Sequence, residues 1–225
     1  MTTKPFLIDT NMHSSFIHFL INDYASHFGF QSEDAITAIR SEIPSSIRFE
    51  IEDKKISIVQ PAGHGVSVFR RKDSPTEIID MEAFTRFIHG NDNTPSSCDF
   101  VLAPLIGMDY LVLNELTSSK SNVILPFRQP QDGIEQIGKL EKAKKQLVET
   151  INRFYQVSNF CDQFEEKTAL FSCKLSDKSK RGIMVRSAKA FNKTIHMLQK
   201  MRFHESLPHG FIFKMRIYEE EYLLN

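Results

Sequence analysis

The sequence predicts an α/β protein with a mixed central sheet flanked by helices and preceded by N-terminal helices. Two observations indicate this class. Apolar residues follow a helical period in some segments and a strand period of two in others. In the middle of the chain, two runs are apolar at nearly every position, which is typical of central strands covered on both faces.

The chain begins with two predicted helices. Apolar side chains recur at helical spacing over residues 11–28, and Gly29 suits the end of that helix. A second helix is predicted from Glu33 to Glu42, with Ser32 as its N-cap and Pro44 just beyond its end.

Residues 47–58 show the strand period instead. Isoleucine and phenylalanine alternate with polar residues on both sides of the turn 53–55, which predicts a β-hairpin. A third extended piece is expected over residues 66–70, after the Gly-His-Gly loop at 63–65.

A short helix and two strands are predicted next. Asp80 is expected to cap a helix from Met81 to Ile88, and Gly90 is expected to end it. Two mostly apolar runs follow, over residues 98–103 and 110–116, and both are predicted to be buried strands.

A long helix is predicted over residues 133–158. Asp132 and Glu135 match a capping-box pair at its start. Its buried stripe is expected to consist of Ile137, Leu140, Leu147, Ile151 and Phe154.

The rest of the chain completes a single predicted domain of residues 1–225. A strand is expected over 168–174, a helix over 185–202 and a last strand over 211–218. We divide the domain into an N-terminal helical extension (1–31), a core (32–175), and a basic helix with the final strand (176–225).

Composition excludes several classes. Apolar content of 41% and charged content of 25% are ordinary for a globular protein. No apolar run approaches the roughly 20 residues of a membrane span, and the first residues do not resemble a secretory signal, so a cytoplasmic location is expected. Three widely spaced cysteines, Cys98, Cys161 and Cys173, argue against a disulfide framework and a structural zinc site.

Two acidic residues lie in the otherwise apolar runs. Asp99 and Glu115 are separated by fifteen residues, and each lies in or beside a predicted buried strand. A charge buried there is costly unless it is paired or binds a metal. If the strands are neighbours, the two carboxylates converge and form a suitable site for Mg²⁺, a cation that prefers oxygen ligands.

This arrangement resembles the PD-(D/E)xK superfamily of restriction-endonuclease-like nucleases. Cys98-Asp99 is similar to its Pro-Asp position, Glu115 to its second acid, and the helix around Gln146 to its Gln-Leu-centred helix. The resemblance covers about residues 32–175. It implies a restriction-endonuclease-like core, a Mg²⁺-dependent DNA-cutting site with Gln146 nearby, a role in restriction or phage defence, and a homodimer.

One residue departs from the superfamily pattern. Thr117 stands where the family has a catalytic Lys, and a hydroxyl does not replace a unit charge. Lys120 in the following turn is one possible substitute, and Lys142 or Lys145 on the next helix are others. The alternative is a site without activity. A further acid on an early helix is expected from the resemblance, with Glu42 or Glu33 as the candidates.

Charge is segregated near the C-terminus although the net charge is zero. Residues 174–202 contain nine Lys and Arg and one Asp. Five basic side chains recur at intervals of three and four, which places them on one face of the predicted helix: Arg186, Lys189, Lys193, His196 and Lys200. This face matches a phosphate backbone or an acidic protein partner.

Two functions follow from the sequence. The first is a metal-dependent nuclease that acts on DNA through Asp99 and Glu115. The second is a superfamily member without catalysis that binds nucleic acid or a protein through the basic helix. The chain has no phosphate-binding loop, GxSxG elbow or GxGxxG turn, so a kinase, hydrolase of that type or dehydrogenase has no support.

Overall fold

The computed structural model describes residues 13–72, 74–92, 94–119, 123–124, 127–128, 135–175, 205–218 and 220–224. These residues form a large mixed sheet, a smaller sheet on one of its faces and helices on the other. The predicted class, an α/β protein with a mixed central sheet flanked by helices, is confirmed.

The helices and strands are short except at the centre of the fold. The helices are α1 (Ser15–Phe19), which continues through a π-helical turn (Leu20–Tyr24) into α2 (Ala25–His27), then α3 (Ser32–Ala38), α4 (Met81–His89) and α5 (Lys139–Val157). The strands are β1 (Ser41–Glu42), β2 (Arg48–Ile51), β3 (Val59–Gln60), β4 (Ser67–Arg71), β5 (Thr76–Asp80), β6 (Phe100–Pro104), β7 (Tyr110–Ser119), β8 (Phe127–Arg128), β9 (Glu135–Gln136), β10 (Glu166–Leu175), β11 (Glu205–Ser206), β12 (Ile212–Ile217) and β13 (Tyr222–Leu224).

The large sheet has the order β1-β5-β6-β7-β10-β12-β11. Strands β5, β6 and β7 form an antiparallel meander, whereas β7, β10 and β12 are parallel to one another. A parallel pair needs a long crossover, and α5 supplies it between β7 and β10. The small sheet has the order β13-β4-β2-β3.

The central strands are apolar on both faces because both faces are covered. Side chains alternate across a strand. Leu111 and Leu113 of β7 therefore pack towards the helices, and Tyr110 and Val112 pack towards the small sheet. The buried strands predicted over residues 98–103 and 110–116 are confirmed as β6, which begins at Phe100, and β7, and the two strands are neighbours.

Several local predictions are confirmed. Asp80 caps α4 by accepting a hydrogen bond from the Ala83 N–H at 2.9 Å, and Gly90 ends that helix with a φ of 75°. The hairpin is formed by β2 and β3, and the third extended piece is β4. The three cysteines are buried and form no disulfide.

Other predictions are wrong because strand pairing overrides the local pattern of side chains. The helix predicted from Glu33 to Glu42 ends at Ala38, and Glu42 lies in β1, which pairs with β5. The long helix begins at Lys139, since Glu135 belongs to β9, and Asp132 lies outside the described residues. Ile137 is 57% exposed, so it does not belong to the buried stripe.

The predicted basic helix at 185–202 lies outside the described residues. Its candidate binding residues Arg186, Lys189, Lys193 and Lys200 therefore stay predictions. Within the described part of the chain, no helix is long and apolar enough to cross a membrane.

Candidate functional site

Asp99 and Glu115 lie opposite each other on neighbouring strands. The antiparallel register of β6 and β7 pairs Phe100 with Asn114, so Asp99 and Glu115 occupy the next opposing positions. Both lie on the sheet face that carries Val101 and Leu113, which is the face covered by α5. Opposing residues on one face of an antiparallel pair are close neighbours. We call these two acids the carboxylate pair.

Backbone groups hold Asp99 in place. Its carboxylate oxygen Oδ2 accepts a hydrogen bond from the Leu116 N–H at 2.6 Å, across to β7. Its carbonyl oxygen accepts from the Met81 N–H at 2.9 Å and the Glu82 N–H at 3.4 Å, at the start of α4. Asp99 is therefore tied to both β7 and α4, while its side chain stays half-buried.

Glu115 is buried and incompletely hydrogen-bonded. Only 8% of the residue is exposed, and its Oε2 atom has no hydrogen-bond partner among the described residues. A hydrogen bond from the Asp99 backbone N–H lowers the pKa of the Glu115 carboxyl, so this carboxyl faces Asp99. An unpartnered buried carboxylate oxygen is costly and points to a ligand that would satisfy it.

Both carboxyls have a raised pKa, and the main cause in each case is burial. Burial raises the pKa of Asp99 to about 7, against the lowering effect of the Leu116 N–H. Burial, and then the charge of Asp99, raises the pKa of Glu115 to about 9. The charge of Glu82 raises both values. A cation between the two carboxylates would relieve this repulsion.

One face of α5 lies against the carboxylate pair. Gln146 Nε2 donates to the Ser97 carbonyl at 3.3 Å, so Gln146 lies beside the site as predicted. Lys142, one helical turn earlier, is near enough for its charge to lower the pKa of Glu115. Lys145 is exposed. Of the two helix lysines considered as substitutes for the missing Lys, Lys142 is therefore the one whose charge reaches the site.

Thr117 offers no charge to the site. It lies two residues after Glu115 on the same face of β7, opposite Cys173 of β10. Its hydroxyl is 2.9 Å from the Ser119 hydroxyl, with which it shares a hydrogen bond. Lys120, the other candidate substitute, lies just outside the described residues.

Glu42 does not join the carboxylate pair. It pairs with Ile78, whose side chain packs towards the small sheet, so Glu42 lies on the opposite face from Glu115. Its carboxylate accepts hydrogen bonds from the Ile58 N–H at 2.6 Å and the Val59 N–H at 2.9 Å, where it anchors β3. The other candidate, Glu33, is exposed on α3.

The carboxylate pair suits a cation that keeps most of its water. No group of three or more His, Cys, Asp or Glu side chains in the described residues is arranged to hold a metal ion. Mg²⁺ is commonly bound by only one or two carboxylates, with water in its other positions. The unpartnered Glu115 oxygen and the half-buried Asp99 carboxylate fit this mode of binding.

Sequence reasoning missed two residues beside the pair. Glu82 lies beside the pair because β5 leads directly into α4, whose first residues donate hydrogen bonds to the Asp99 carbonyl. Strand β5 has no strong sequence pattern. Thr150 is buried in α5, and its hydroxyl accepts a hydrogen bond from the Cys98 N–H at 2.9 Å. No sequence signal marked either residue, because both contacts join segments far apart in the chain.

A cleft in the described part of the molecule lies away from the carboxylate pair. It has a volume of about 230 Å³ and is lined by small-sheet residues and nearby loops, among them Arg48 and Gln60. Neither member of the carboxylate pair lines it.

Comparisons with models of known protein families, with curated proteins and with solved structures give no match for this chain. The carboxylate pair and the helix face beside it are therefore the basis for a functional assignment.

Proposed function

We propose that this protein is a Mg²⁺-dependent nuclease of the PD-(D/E)xK type, acting on DNA. The observation that carries the proposal is the unpartnered Oε2 atom of buried Glu115, opposite Asp99 on the neighbouring strand. A role in restriction or phage defence, and a homodimer, are further expectations from the same resemblance.

The order of elements supports the proposal. An acid precedes β6, a second acid lies late in the antiparallel neighbour β7, and α5 then crosses over to the parallel strand β10. This is the succession of strand acid, hairpin, second strand acid and long helix on which the sequence resemblance depends.

The chain's own groups have distinct roles in this proposal. Asp99 and Glu115 hold the cation, which when bound supplies the positive charge that orients a water molecule and stabilises a phosphodiester under attack. Leu116 directs the Asp99 carboxylate through its N–H. Lys142 contributes the positive charge that Thr117 lacks, since its charge already acts on Glu115.

A cleavage assay tests the proposal. Purified protein is incubated with linear, circular and single-stranded DNA and with RNA, in Mg²⁺ or Mn²⁺, beside Asp99→Ala and Glu115→Ala variants. We expect metal-dependent cleavage of DNA that both substitutions reduce by about a hundredfold or more. Cleavage that survives both substitutions, or wild-type protein that cuts no substrate, would contradict the proposal.

A second pair of variants tests whether Lys142 takes the place of the missing catalytic Lys. Lys142→Ala removes the charge beside Glu115, and we expect it to lower the cleavage rate by about a hundredfold. Lys145→Ala removes an equal charge from the same helix, three residues further on, and is expected to cut at nearly the wild-type rate because Lys142 is the lysine whose charge acts on Glu115. Equal rates for the two variants would exclude Lys142 from this role.

The alternative is a subunit of the same superfamily that binds without cutting. One observation favours it: the Thr117 side chain is uncharged and shorter than that of the Lys it replaces, and its hydroxyl is hydrogen-bonded to the Ser119 hydroxyl. Nucleic acid or an acidic protein would then bind through the predicted basic face. We expect salt-sensitive DNA binding, measured by fluorescence anisotropy, without cleavage, and loss of that binding in the Lys189→Glu/Lys193→Glu variant.

A further inference from the structure

Three side chains of α5 hold the three residues that lead to Asp99. Arg153 Nη2 donates to the Ser96 carbonyl. Gln146 Nε2 donates to the Ser97 carbonyl at 3.3 Å, and the Thr150 hydroxyl accepts from the Cys98 N–H at 2.9 Å. We call Gln146, Thr150 and Arg153 the α5 clamp.

The spacing of the clamp follows from helix geometry. Its residues are separated by four and three positions, which places them on one face of α5. Thr150 also donates its hydroxyl hydrogen to the Gln146 carbonyl at 2.8 Å. Because that hydrogen is used inside the helix, the oxygen lone pairs remain available for the Cys98 N–H. The residue is fully buried, so water does not compete for this contact.

The held segment has no other regular structure. Residues 94–98 belong to no helix or strand, and β6 begins only at Phe100. Beyond the segment, Asp99 is tied by backbone groups of β7 and α4. The α5 clamp therefore adds side-chain support for Asp99 to these backbone hydrogen bonds. Of its three residues, the central one, Thr150, is buried.

We infer that Thr150 is a positioning residue for the carboxylate pair: its hydroxyl fixes the Cys98 N–H and thereby restrains Asp99 opposite Glu115, where the two acids would share a divalent cation. This inference rests on the proposed function, since it concerns cation binding by the same two acids. Thr150 itself does not touch the cation or the substrate. Supporting groups that orient metal ligands commonly change metal affinity by 10-fold to 100-fold when removed.

The test measures Mn²⁺ binding directly, by electron paramagnetic resonance of free Mn²⁺ and by calorimetry, on the full-length protein. Thr150→Val keeps the shape but removes the hydroxyl, and we expect about tenfold weaker Mn²⁺ binding. Thr150→Ser keeps the hydroxyl and is expected to bind Mn²⁺ nearly as wild type does. Rescue by serine is a result that a purely space-filling role of Thr150 does not produce.

Thr168→Val is the matched control. Thr168 is also buried, and its hydroxyl accepts from the Tyr222 hydroxyl at 2.9 Å on the other face of the sheet. This variant loses the same atoms away from the carboxylate pair, so wild-type Mn²⁺ affinity is expected. A tenfold loss there as well would assign the Thr150→Val effect to general destabilisation and overturn the inference.

Gln146→Ala provides a second route if Thr150→Val does not fold, as judged by circular dichroism. It removes the longer and less buried contact of the clamp, and we expect a weakening of Mn²⁺ binding by about threefold, less than the range for a buried support. If the wild-type protein binds Mn²⁺ and both clamp variants bind it with the same affinity, the role of Thr150 is overturned and the proposed function still stands. Absence of Mn²⁺ binding by the wild type overturns both.

Discussion

Glu50 on β2 and Glu115 on β7 are both buried glutamates on largely apolar strands, yet their carboxylates have opposite surroundings. Glu50 is 2% exposed, and its two oxygens accept hydrogen bonds from the Gly63 and Gly65 N–H groups at 3.0 Å. It also accepts from the Tyr218 hydroxyl at 3.2 Å and forms an ion pair with Arg48 at 3.3 Å. Glu115 has an oxygen that no described residue satisfies.

The pKa values of the two carboxyls shift in opposite directions for this reason. Burial alone raises the pKa of Glu50, but the hydrogen bonds from Gly63, Gly65 and Tyr218 and the Arg48 side chain bring it below its usual value. Burial raises the pKa of Glu115, and its few compensating groups do not reverse the effect. Burial by itself therefore does not distinguish a structural acid from a ligand-binding one; the number of donors does.

The loop around Glu50 shows a structural reason for its glycines. A Cβ atom on Gly65 would lie 2.5 Å from the Glu50 Cβ, which is closer than side chains approach. Lys174 of β10 donates to the Gly63 carbonyl at 3.0 Å and the Gly65 carbonyl at 2.7 Å. The Gly-His-Gly loop is thus held between the two sheets, and its contacts account for it without a ligand.

The largest expected effect is on Glu50. Glu50→Ala leaves the Gly63 and Gly65 N–H groups without their acceptor, and we expect the free energy of unfolding to fall by about 3 kcal/mol. Urea denaturation followed by circular dichroism measures this loss. Glu52→Ala, on the same segment, removes a side chain that is 24% exposed and paired with Lys54, and it is expected to change the midpoint little. Similar midpoints for the two variants would contradict the structural role of Glu50.

The pH dependence of stability is expected to have opposite signs at the two glutamates. The pKa of Glu50 is lowered in the folded state, so its contribution is present above the unfolded pKa, near 4, and is lost as the pH falls through the folded value. The penalty of Glu50→Gln should therefore shrink towards acid. Urea titrations of this variant and the wild type between about pH 3 and pH 7 measure that change.

For Glu115 the folded state keeps a proton that the unfolded state has lost, so wild-type stability falls as the pH rises from about 4 to about 9. Glu115→Gln removes this decline, and in metal-free buffer we expect it to be more stable than wild type at pH 7 by at least about 1.4 kcal/mol, the value of one pKa unit. A Glu115→Gln variant that loses stability at pH 7 would show that the carboxylate has partners that satisfy it.

The smallest effect is expected at a glutamate in contact with water. Glu221 pairs with Arg48 at 2.7 Å and Arg70 at 2.6 Å, but its side chain is 27% exposed. Ion pairs of this kind contribute little because solvent screens them. Glu221→Ala is therefore expected to leave the urea midpoint close to that of the wild type. A loss as large as that of Glu50→Ala would mean that ion pairing, rather than burial with backbone donors, sets the importance of these acids.

The positions of Asp99 and Glu115 on neighbouring strands follow from local information, while their role as metal ligands stays a prediction. Asp99 and Glu115 interrupt two apolar runs separated by a short connection, and a short connection favours antiparallel neighbours. Alternation within a strand then placed Glu115 and Thr117 on one face. Gln146 was placed near the pair by the family resemblance of the Gln-Leu segment, and the helical period predicted only the helix that carries it.

The prediction failed where strand pairing overrides a local helical preference. Residues near Glu42 have helical spacing, but the pairing of β1 with β5 extends them and turns Glu42 to the opposite face of the sheet. Strand β1 has only two residues, too few to carry a period of their own. Glu135 likewise matched a capping box, whereas it pairs in β9 with β8.

The sequence by itself determined the α/β class, the two central strands, the long helix and the two acids, because hydrophobic periodicity is set by neighbours along the chain. Only the tertiary structure decided which groups surround those acids. The crossover of α5 brings Lys142 and Thr150 to the site, and α4 brings Glu82, while Glu42 is carried away. These contacts join residues far apart in sequence, so they depend on how whole elements pack and not on the local pattern of side chains.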